Sequence, residues 1–268
     1  METEKEKFLE VAFYAAEEAG KILMKNYGKK TKITLKGEIN IVTDVDIKSE
    51  KSIINIIKRE YPSHNFLSEE STSEKVESEY LWIIDPLDGT TNYSHAYPHF
   101  CVSIALAISS KVEIGVVFDP VRKERFHSVR GKGAFLNGRL IKPSQNSSLN
   151  SSLIATGFPY DLREDSKNNI AIHDHLLLRA LAVRRSGSAA LDLCYVASGR
   201  LDGFWELKLS PWDVAAGGLI IEEAGGKITD FSDRAYSIYT SEILATNSLI
   251  HEEMRLEIIS AYDKFTYE

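Results

Sequence analysis

Several absences narrow what this chain can be. Only two cysteines, Cys101 and Cys194, occur in 268 residues. That is too few for a disulfide framework, and a reducing compartment is expected. Positive charge is in deficit, with 32 Lys and Arg against 39 Asp and Glu and a formal net charge of −7. Such a balance argues against nucleic acid as the main ligand. No apolar run is long enough to span a bilayer; the longest, around residues 100–108, is about half a span and contains Ser103. The first seven residues are polar and charged, with no basic segment leading into an apolar one, so no signal peptide is expected. No internal repeat of fixed period is present. These absences predict a soluble, cytoplasmic protein with no membrane contact. The length should bury roughly three quarters of the surface exposed by the unfolded chain, enough for a core without disulfides or structural zinc.

The hydrophobic pattern supplies the architecture. Phe8, Ala12, Ala15, Ala19, Ile22 and Leu23 recur at spacings of three and four and predict an opening helix that Gly28 ends. A polar stretch from Lys29 to Asn40 follows. A second helix is predicted on Ile47, Ile53, Ile54 and Ile57, ending before Tyr61-Pro62. Strand-like runs occupy residues 81–84, 101–108, 112–118 and 125–129, and Asn137-Gly138 signals a hairpin turn. Residues 143–152 hold one large apolar side chain and mark the expected boundary between an N-terminal α+β half, 1–145, and a C-terminal α/β half, 146–268. Beyond it, strands at 153–156, 181–184, 201–206 and 227–230 alternate with helices at 167–178, 188–198 and 211–224. A mixed first half and an α/β second half predict layered sheets and helices.

The chemistry is concentrated in acids. Trp82-Ile-Ile-Asp85-Pro-Leu-Asp88-Gly89-Thr90-Thr91-Asn92 is an apolar strand running into two carboxylates, then turning through Gly89 into a helix start. Backbone N–H groups there, with the Thr90 hydroxyl, suit a phosphate. Two carboxylates beside a phosphate repel it unless hard divalent cations intervene, and oxygen-only ligation points to Mg²⁺. Alone, the segment reads equally as solvated acids with an Asx turn. Ser68-Glu69-Glu70 places two more acids beyond another short apolar segment. Ser210-Pro211-Trp212-Asp213 opens a helical run, with Ser210 as N-cap and Asp213 at the capping-box position, a role that requires no function.

Together these segments resemble the inositol monophosphatase family, lithium-sensitive phosphatases related to fructose-1,6-bisphosphatase. Residues 82–92 match the Asp-Pro-x-Asp-Gly-Thr-x-Asn pattern, and Trp212-Asp213-Val-Ala-Ala-Gly217 matches the Trp-Asp-x-Ala-Ala-Gly pattern. The likeness covers residues 8–262 and is strongest to bacterial members, whose Gly-Ser-Ala-Ala-Leu-Asp-Leu string stands at 187–193. The resemblance implies an αβαβα sandwich, usually a homodimer, with two or three Mg²⁺ per site. It implies Glu69, Asp85, the Leu87 carbonyl, Asp88 and Asp213 as metal ligands, although the local sequence does not separate Glu69 from Glu70. Asp46 matches the aspartate that partners the motif threonine, Thr90, while Asp44 reads as a solvated acid. Asp88, Gly89, Thr90 and Asp213 are implied at the phosphate side. Gly187, Ser188, Ala189 and Glu206 are implied contacts to the rest of the substrate, and Lys36 lies on a loop that closes over a weakly held extra metal.

The implied reaction is hydrolysis of a small polyol phosphate, inositol monophosphate first, by direct attack of metal-activated water. Two cations about 4 Å apart would neutralise the dianion. In that scheme Glu69, Asp46 and Thr90 are the catalytic set, with Thr90 aiming the water and Asp46 relaying its proton. Fructose 1,6-bisphosphate, histidinol phosphate and 3′-phosphoadenosine nucleotides are served by related enzymes. Some bacterial relatives also act as partners of the transcription machinery, so a non-catalytic role is a second expectation. Cys194 through Arg200 fits a Cys-x5-Arg spacing, but Cys194 lies in an apolar helical pattern and reads as a core thiol. The Asp-x-Asp spacing of aspartyl-nucleophile phosphatases is excluded by the extra residue Leu87. His173 and His175, two apart on a helix, read as solvent-facing. Arg184 and Arg185 read equally as substrate or interface contacts and as a solvated pair.

Overall fold

A computed structural model describes residues 2–29, 33–35, 41–71 and 78–265. Lys36 lies outside the described residues. Helix α1 (Glu2–Asn26) is followed by a short antiparallel pair, β1 (Ile33–Leu35) and β2 (Ile41–Thr43), and by α2 (Asp44–Glu60). A seven-stranded sheet comes next: β3 (Asn65–Ser68), β4 (Tyr80–Asp88), β5 (Cys101–Ile108), β6 (Lys111–Asp119), β7 (Glu124–Val129), β8 (Ala134–Leu136) and β9 (Arg139–Leu140), neighbours in chain order. Within this sheet, among the described residues, only β3 and β4 pair in parallel. The one-turn helix α3 (Thr90–Ser94) follows β4. The second sheet contains β10 (Leu153–Thr156), β11 (Ala182–Arg184), β12 (Gly203–Leu207), β13 (Lys227–Thr229) and β14 (Glu242–Thr246), in the order β11-β10-β12-β14-β13. Its helices are α4 (Ile170–Leu177), α5 (Ala189–Ala197), α6 (Pro211–Ala224) and α7 (His251–Phe265).

Alternation along β4 explains the layering. Trp82 and Ile84 pack with Phe8, Ala12 and Ala15 of α1 and Ile53 and Ile57 of α2. Leu81 and Ile83 point the other way, into a core with Leu191 and Leu193 of α5 and Ala215, Leu219 and Ile220 of α6. That same core takes Ala155, Phe204 and Ala245 from the second sheet. The outer face of the second sheet, with Ile154, Trp205 and Leu244, is covered by Ile172 and Leu176 of α4 and Met254 and Ile258 of α7. The result is five layers, αβαβα, with α5 and α6 in the middle. Strands buried on both faces read as unbroken apolar runs, which is why residues 101–108 are so apolar without spanning a membrane. Among the described residues no helix is long and apolar enough to cross one.

The helix α6 is buried on nearly every side from Val214 to Ile221, as its place between two sheets requires. Residues 143–152 separate the strands of the two sheets. Asn247 Nδ2 donates to Ser144 Oγ at 2.9 Å and to the Asn146 carbonyl at 2.8 Å, and Leu149 is buried with the second sheet's outer core.

Several expectations need correction. Ile47 is not on the buried face of α2: it is 41% exposed, and the buried residues are Val45, Asp46, Ser49, Glu50, Ile53 and Ile57. His175 is not solvent-facing, because its Nε2 lies 2.5 Å from Glu257 Oε2, joining α4 to α7. Strand β14 and helix α7 were not expected from the patterning, although Ile250, Met254, Ile258 and Ala261 do recur at helical spacing.

Candidate active site

The first sheet delivers its acids through a bulge. Asp85 pairs with Ser103 and Asp88 with Cys101, so β4 advances three residues while β5 advances two. Pro86 has no N–H to lose from the ladder, and such a bulge re-aims the side chains on either side of it. Asp85 Oδ1 accepts from the Leu87 N–H at 2.9 Å. Gly89 then turns the chain at φ 95°, a left-handed conformation, and a side chain there would press on the His99 and Gly187 carbonyls at 3.0 and 3.2 Å. Asn92 holds this turn to the second half of the chain, its Nδ2 donating to the carbonyls of His99 at 2.8 Å and Ser186 at 2.9 Å.

A cavity of about 280 Å³ opens beside this turn, lined by Glu69, Asp85, Leu87, Asp88, Gly89 and Thr90. Gly187, Ser188, Ala189, Asp192, Glu206 and Asp213 line it as well, with Tyr160 and Arg185 also contributing. Glu69 follows the end of β3, where its N–H donates to Ile84 at 3.3 Å. Glu70 does not line the cavity; its N–H donates to Glu50 Oε2 at 3.0 Å. Asp88 Oδ2 accepts from Ser188 Oγ at 2.6 Å and from the Ala190 N–H at 2.8 Å. The Ser188 hydroxyl is thereby engaged with Asp88 as well as capping α5. Asp213, half-buried, accepts from the Ser210 N–H at 2.7 Å through one oxygen. The capping role weighed against function is thus present, and it uses one oxygen of a carboxylate that also lines the cavity.

Asp46 does not line the cavity. It is buried at the start of α2, where Oδ2 accepts from the Thr43 N–H and hydroxyl and Oδ1 lies 3.0 Å from Thr90 Oγ1. The Thr90 hydroxyl is equally close, 3.0 Å, to the Leu87 carbonyl, and its single proton can serve one of the two at a time. Two neighbours on α2 were missed by pattern reading. Ser49 Oγ donates to the Pro86 carbonyl at 2.9 Å, and Glu50 accepts from the Ser68 hydroxyl. Asp46, Ser49 and Glu50 sit at spacings of three and four, so a buried polar stripe was readable in principle.

Charge is the dominant property of the cavity. Asp85 is pushed well above the usual carboxylate range by burial and then by Glu69, Asp88 and Asp213. Asp213 is raised by burial, Asp88 and Glu69, and Asp88 by burial against the opposing hydrogen bonds from Ser188 and Ala190. Glu206 is raised by burial, Asp213 and Asp192. Carboxylates that raise one another lack enough countercharge: Arg185 opposes the rise at Glu206 without cancelling it. Lys208, which also lines the cavity, does not make up the difference, since Asp161 and Asp165 hold its Nζ at 2.6 Å each. Among the described residues no three acid, histidine or cysteine side chains close on a common point at metal spacing. The donor chemistry nevertheless fits a hard cation: carboxylate and carbonyl oxygens, with no sulfur or imidazole.

The second sheet adds the far wall. Glu206 shares the inner face of β12 with Phe204, one strand period away. Its carboxylate occupies the space above Gly157, where a Cβ would lie 2.1 Å from Oε1. Gly157 was not anticipated, because its partner is far along the chain. Cys194 is a fully buried thiol within α5, and Arg200 pairs bidentately with Glu124 at 2.6 Å, so no cysteine-phosphatase loop is formed.

Residues 4–264 match the family model described as the Inositol monophosphatase family, and the chain belongs to that family. It is 45% identical over 249 residues, 92% of its length and 87% of the relative's, to "Inositol-1-monophosphatase" of Synechocystis sp.. It is 43% identical over 249 residues, 92% of its length and 93% of the relative's, to "Nus factor SuhB" of Haemophilus influenzae. The solved inositol monophosphatase from Anabaena (Nostoc) sp. PCC 7120 superposes with a TM-score of 0.88 at 46% identity, covering 96% of this chain and 97% of that one. The layered fold described above is that of these phosphatases.

Proposed function

We propose that the chain is a cytoplasmic, Mg²⁺-dependent phosphatase of small polyol phosphate monoesters, with inositol monophosphate as first substrate. One observation carries this reading: Glu69, Asp85, Asp88, Asp213, the Leu87 segment and Thr90 are gathered on one cavity that Glu206 and Gly187–Ala189 also line. The four carboxylates and the Leu87 carbonyl would hold the metal ions, two or three by family resemblance. Bound Mg²⁺ would supply positive charge to the phosphate and acidity to the attacking water.

The chain's own residues do the rest. Thr90 Oγ1 lies between Asp46 Oδ1 and the Leu87 carbonyl, placed to orient a water and pass its proton to Asp46. Burial raises Asp46 above the ordinary carboxylate range, which makes it a better proton acceptor. Gly89 lets backbone approach the phosphate, and Glu206 accepts from hydroxyls of the leaving polyol. The attack is direct: Cys194 is buried and its thiol is pushed up by burial, so it is no nucleophile.

The decisive measurement is phosphate release from inositol monophosphate, fructose 1,6-bisphosphate, histidinol phosphate and a 3′-phosphoadenosine nucleotide at equal Mg²⁺, with and without chelator. Metal-independent turnover, or none on any ester, would reject the reading. A homodimer is part of the proposal. Leu177, Leu178 and Leu181 are 50%, 79% and 69% exposed beside β11, an edge strand, and offer an apolar contact surface. The relatives named Nus factor favour a second reading, a partner of the transcription machinery. Pull-down of RNA polymerase components by a catalytically dead variant would support it independently of hydrolysis.

A further inference from the structure

Of the four carboxylates proposed to hold metal, Glu69 alone lies outside a helix or strand. It follows β3, which is an edge of its sheet and has only β4 beside it. Successive N–H groups of an extended chain point to opposite edges, so the ladder can hold only every second residue. The Glu69 N–H donates inward to the Ile84 carbonyl at 3.3 Å. The Glu70 N–H turns to the open edge, where no strand meets it, and donates to Glu50 Oε2 of α2 at 3.0 Å.

Side chains alternate in the same way. Leu67 belongs to the core between the two sheets, while Phe66 packs with α1 and α2. Glu69 continues the Leu67 face and lines the cavity. Ser68 continues the Phe66 face, is fully buried, and its hydroxyl donates to the same Oε2 of Glu50. Glu50, itself 3% exposed, thus grips the residues on both sides of Glu69 from the face opposite the cavity. Without it the Ser68 hydroxyl would be buried with its acceptor gone, a cost the segment can relieve only by shifting, and Glu69 would shift with it.

We infer that Glu50 is a positioning residue for the metal site: by clamping Ser68 and Glu70 it fixes the backbone around Glu69, and so sets how tightly the Glu69 carboxylate helps to hold a divalent cation. The inference rests on the phosphatase reading above and adds a residue that touches neither metal nor substrate. A buried acid kept for stability alone lowers the melting temperature and leaves cation affinity as it was. One that positions a ligand weakens the cation whether or not substrate is turned over.

The test titrates the full chain with Mn²⁺, a hard probe ion, without substrate, and follows the free ion by its electron paramagnetic resonance signal. Glu50→Ala should bind Mn²⁺ about 10–100-fold more weakly, the usual cost of losing a group that orients a metal ligand. Glu50→Gln keeps a carbonyl acceptor for both donors and should return to within about threefold of wild type. Ser68→Ala removes one of the two bonds and should weaken binding by about three- to tenfold. In turnover of inositol 1-phosphate, Glu50→Ala should raise the half-saturating Mg²⁺ concentration much more than it lowers kcat at saturating Mg²⁺. Ile57→Val, a packing change in the same helix, should lower the melting temperature without weakening Mn²⁺.

Unchanged Mn²⁺ affinity in Glu50→Ala, a glutamine variant as weak as the alanine one, or an equal loss in Ile57→Val would overturn the inference. Should Glu50→Ala not fold, Ser68→Ala decides alone, and wild-type affinity there would overturn it. A wild-type chain that binds no Mn²⁺ and shows no Mg²⁺-dependent hydrolysis would instead overturn the phosphatase reading itself.

Discussion

Helices α2 and α6 begin in the same way and end up with different tasks. Thr43 and Ser210 are the N-caps, and Asp46 and Asp213 stand three residues on, each accepting the N-cap N–H. Locally the two cannot be told apart. Asp213 faces the cavity because α6 starts at its floor in the central layer, while Asp46 lies behind Thr90 because α2 packs on the outer face of the first sheet. A capping carboxylate uses one oxygen for its helix, and tertiary position decides what the other does.

The largest effect that sharpens this comparison is expected at Asp213. Asp213→Asn keeps an acceptor for the Ser210 N–H but removes charge from the acid cluster, so turnover should fall at least ~100-fold and the Mg²⁺ requirement should rise. Turnover within a few-fold of wild type would remove Asp213 from the metal set. Asp46→Asn should lose about 10²–10⁴-fold with an unchanged Mg²⁺ requirement, since it acts through Thr90. A raised requirement would make the two acids equivalent and break the contrast. Lithium at millimolar concentration should inhibit the wild type, on family resemblance; full activity there would count against the shared metal arrangement.

A smaller effect concerns pH. Burial raises the Asp46 carboxyl in the folded chain, so on raising the pH above the ordinary carboxylate value the unfolded chain loses its proton first. Stability from this group is therefore complete at low pH and is lost as pH rises through that window. Asp46→Asn lacks the titration, so its melting temperature relative to wild type should climb from pH 4 to 7; a constant difference would show that Asp46 is not raised. The smallest effect is expected at Thr43→Ala, a loss of about 1 kcal/mol in chemical denaturation with Asp46 still present.

Much of this was legible because it is local. The strand into Asp85, the turn at Gly89 and the caps at Ser210 and Asp213 are each set by neighbours within a few residues, and the family patterns fall on the same segments. What escaped reading is held by distant partners. Glu50 meets Ser68, and Gly157 leaves room for Glu206, pairings that only the packed layers create. Ile47 was misplaced because a buried polar stripe displaced the apolar face of α2 from where hydrophobicity alone would centre it.

The polar stripe of α2 has a consequence for how the protein fails. Asp46, Ser49 and Glu50 fasten Thr90, the Pro86 carbonyl and the segment after β3 to a single helix on the periphery. Peripheral helices open more readily than central ones. Loosening of α2 alone would slacken three supports of the cavity while α5, α6 and both sheets stay folded. On heating, catalytic death should therefore precede the loss of bulk helicity, and amide exchange along residues 44–60 should report the step at which it happens.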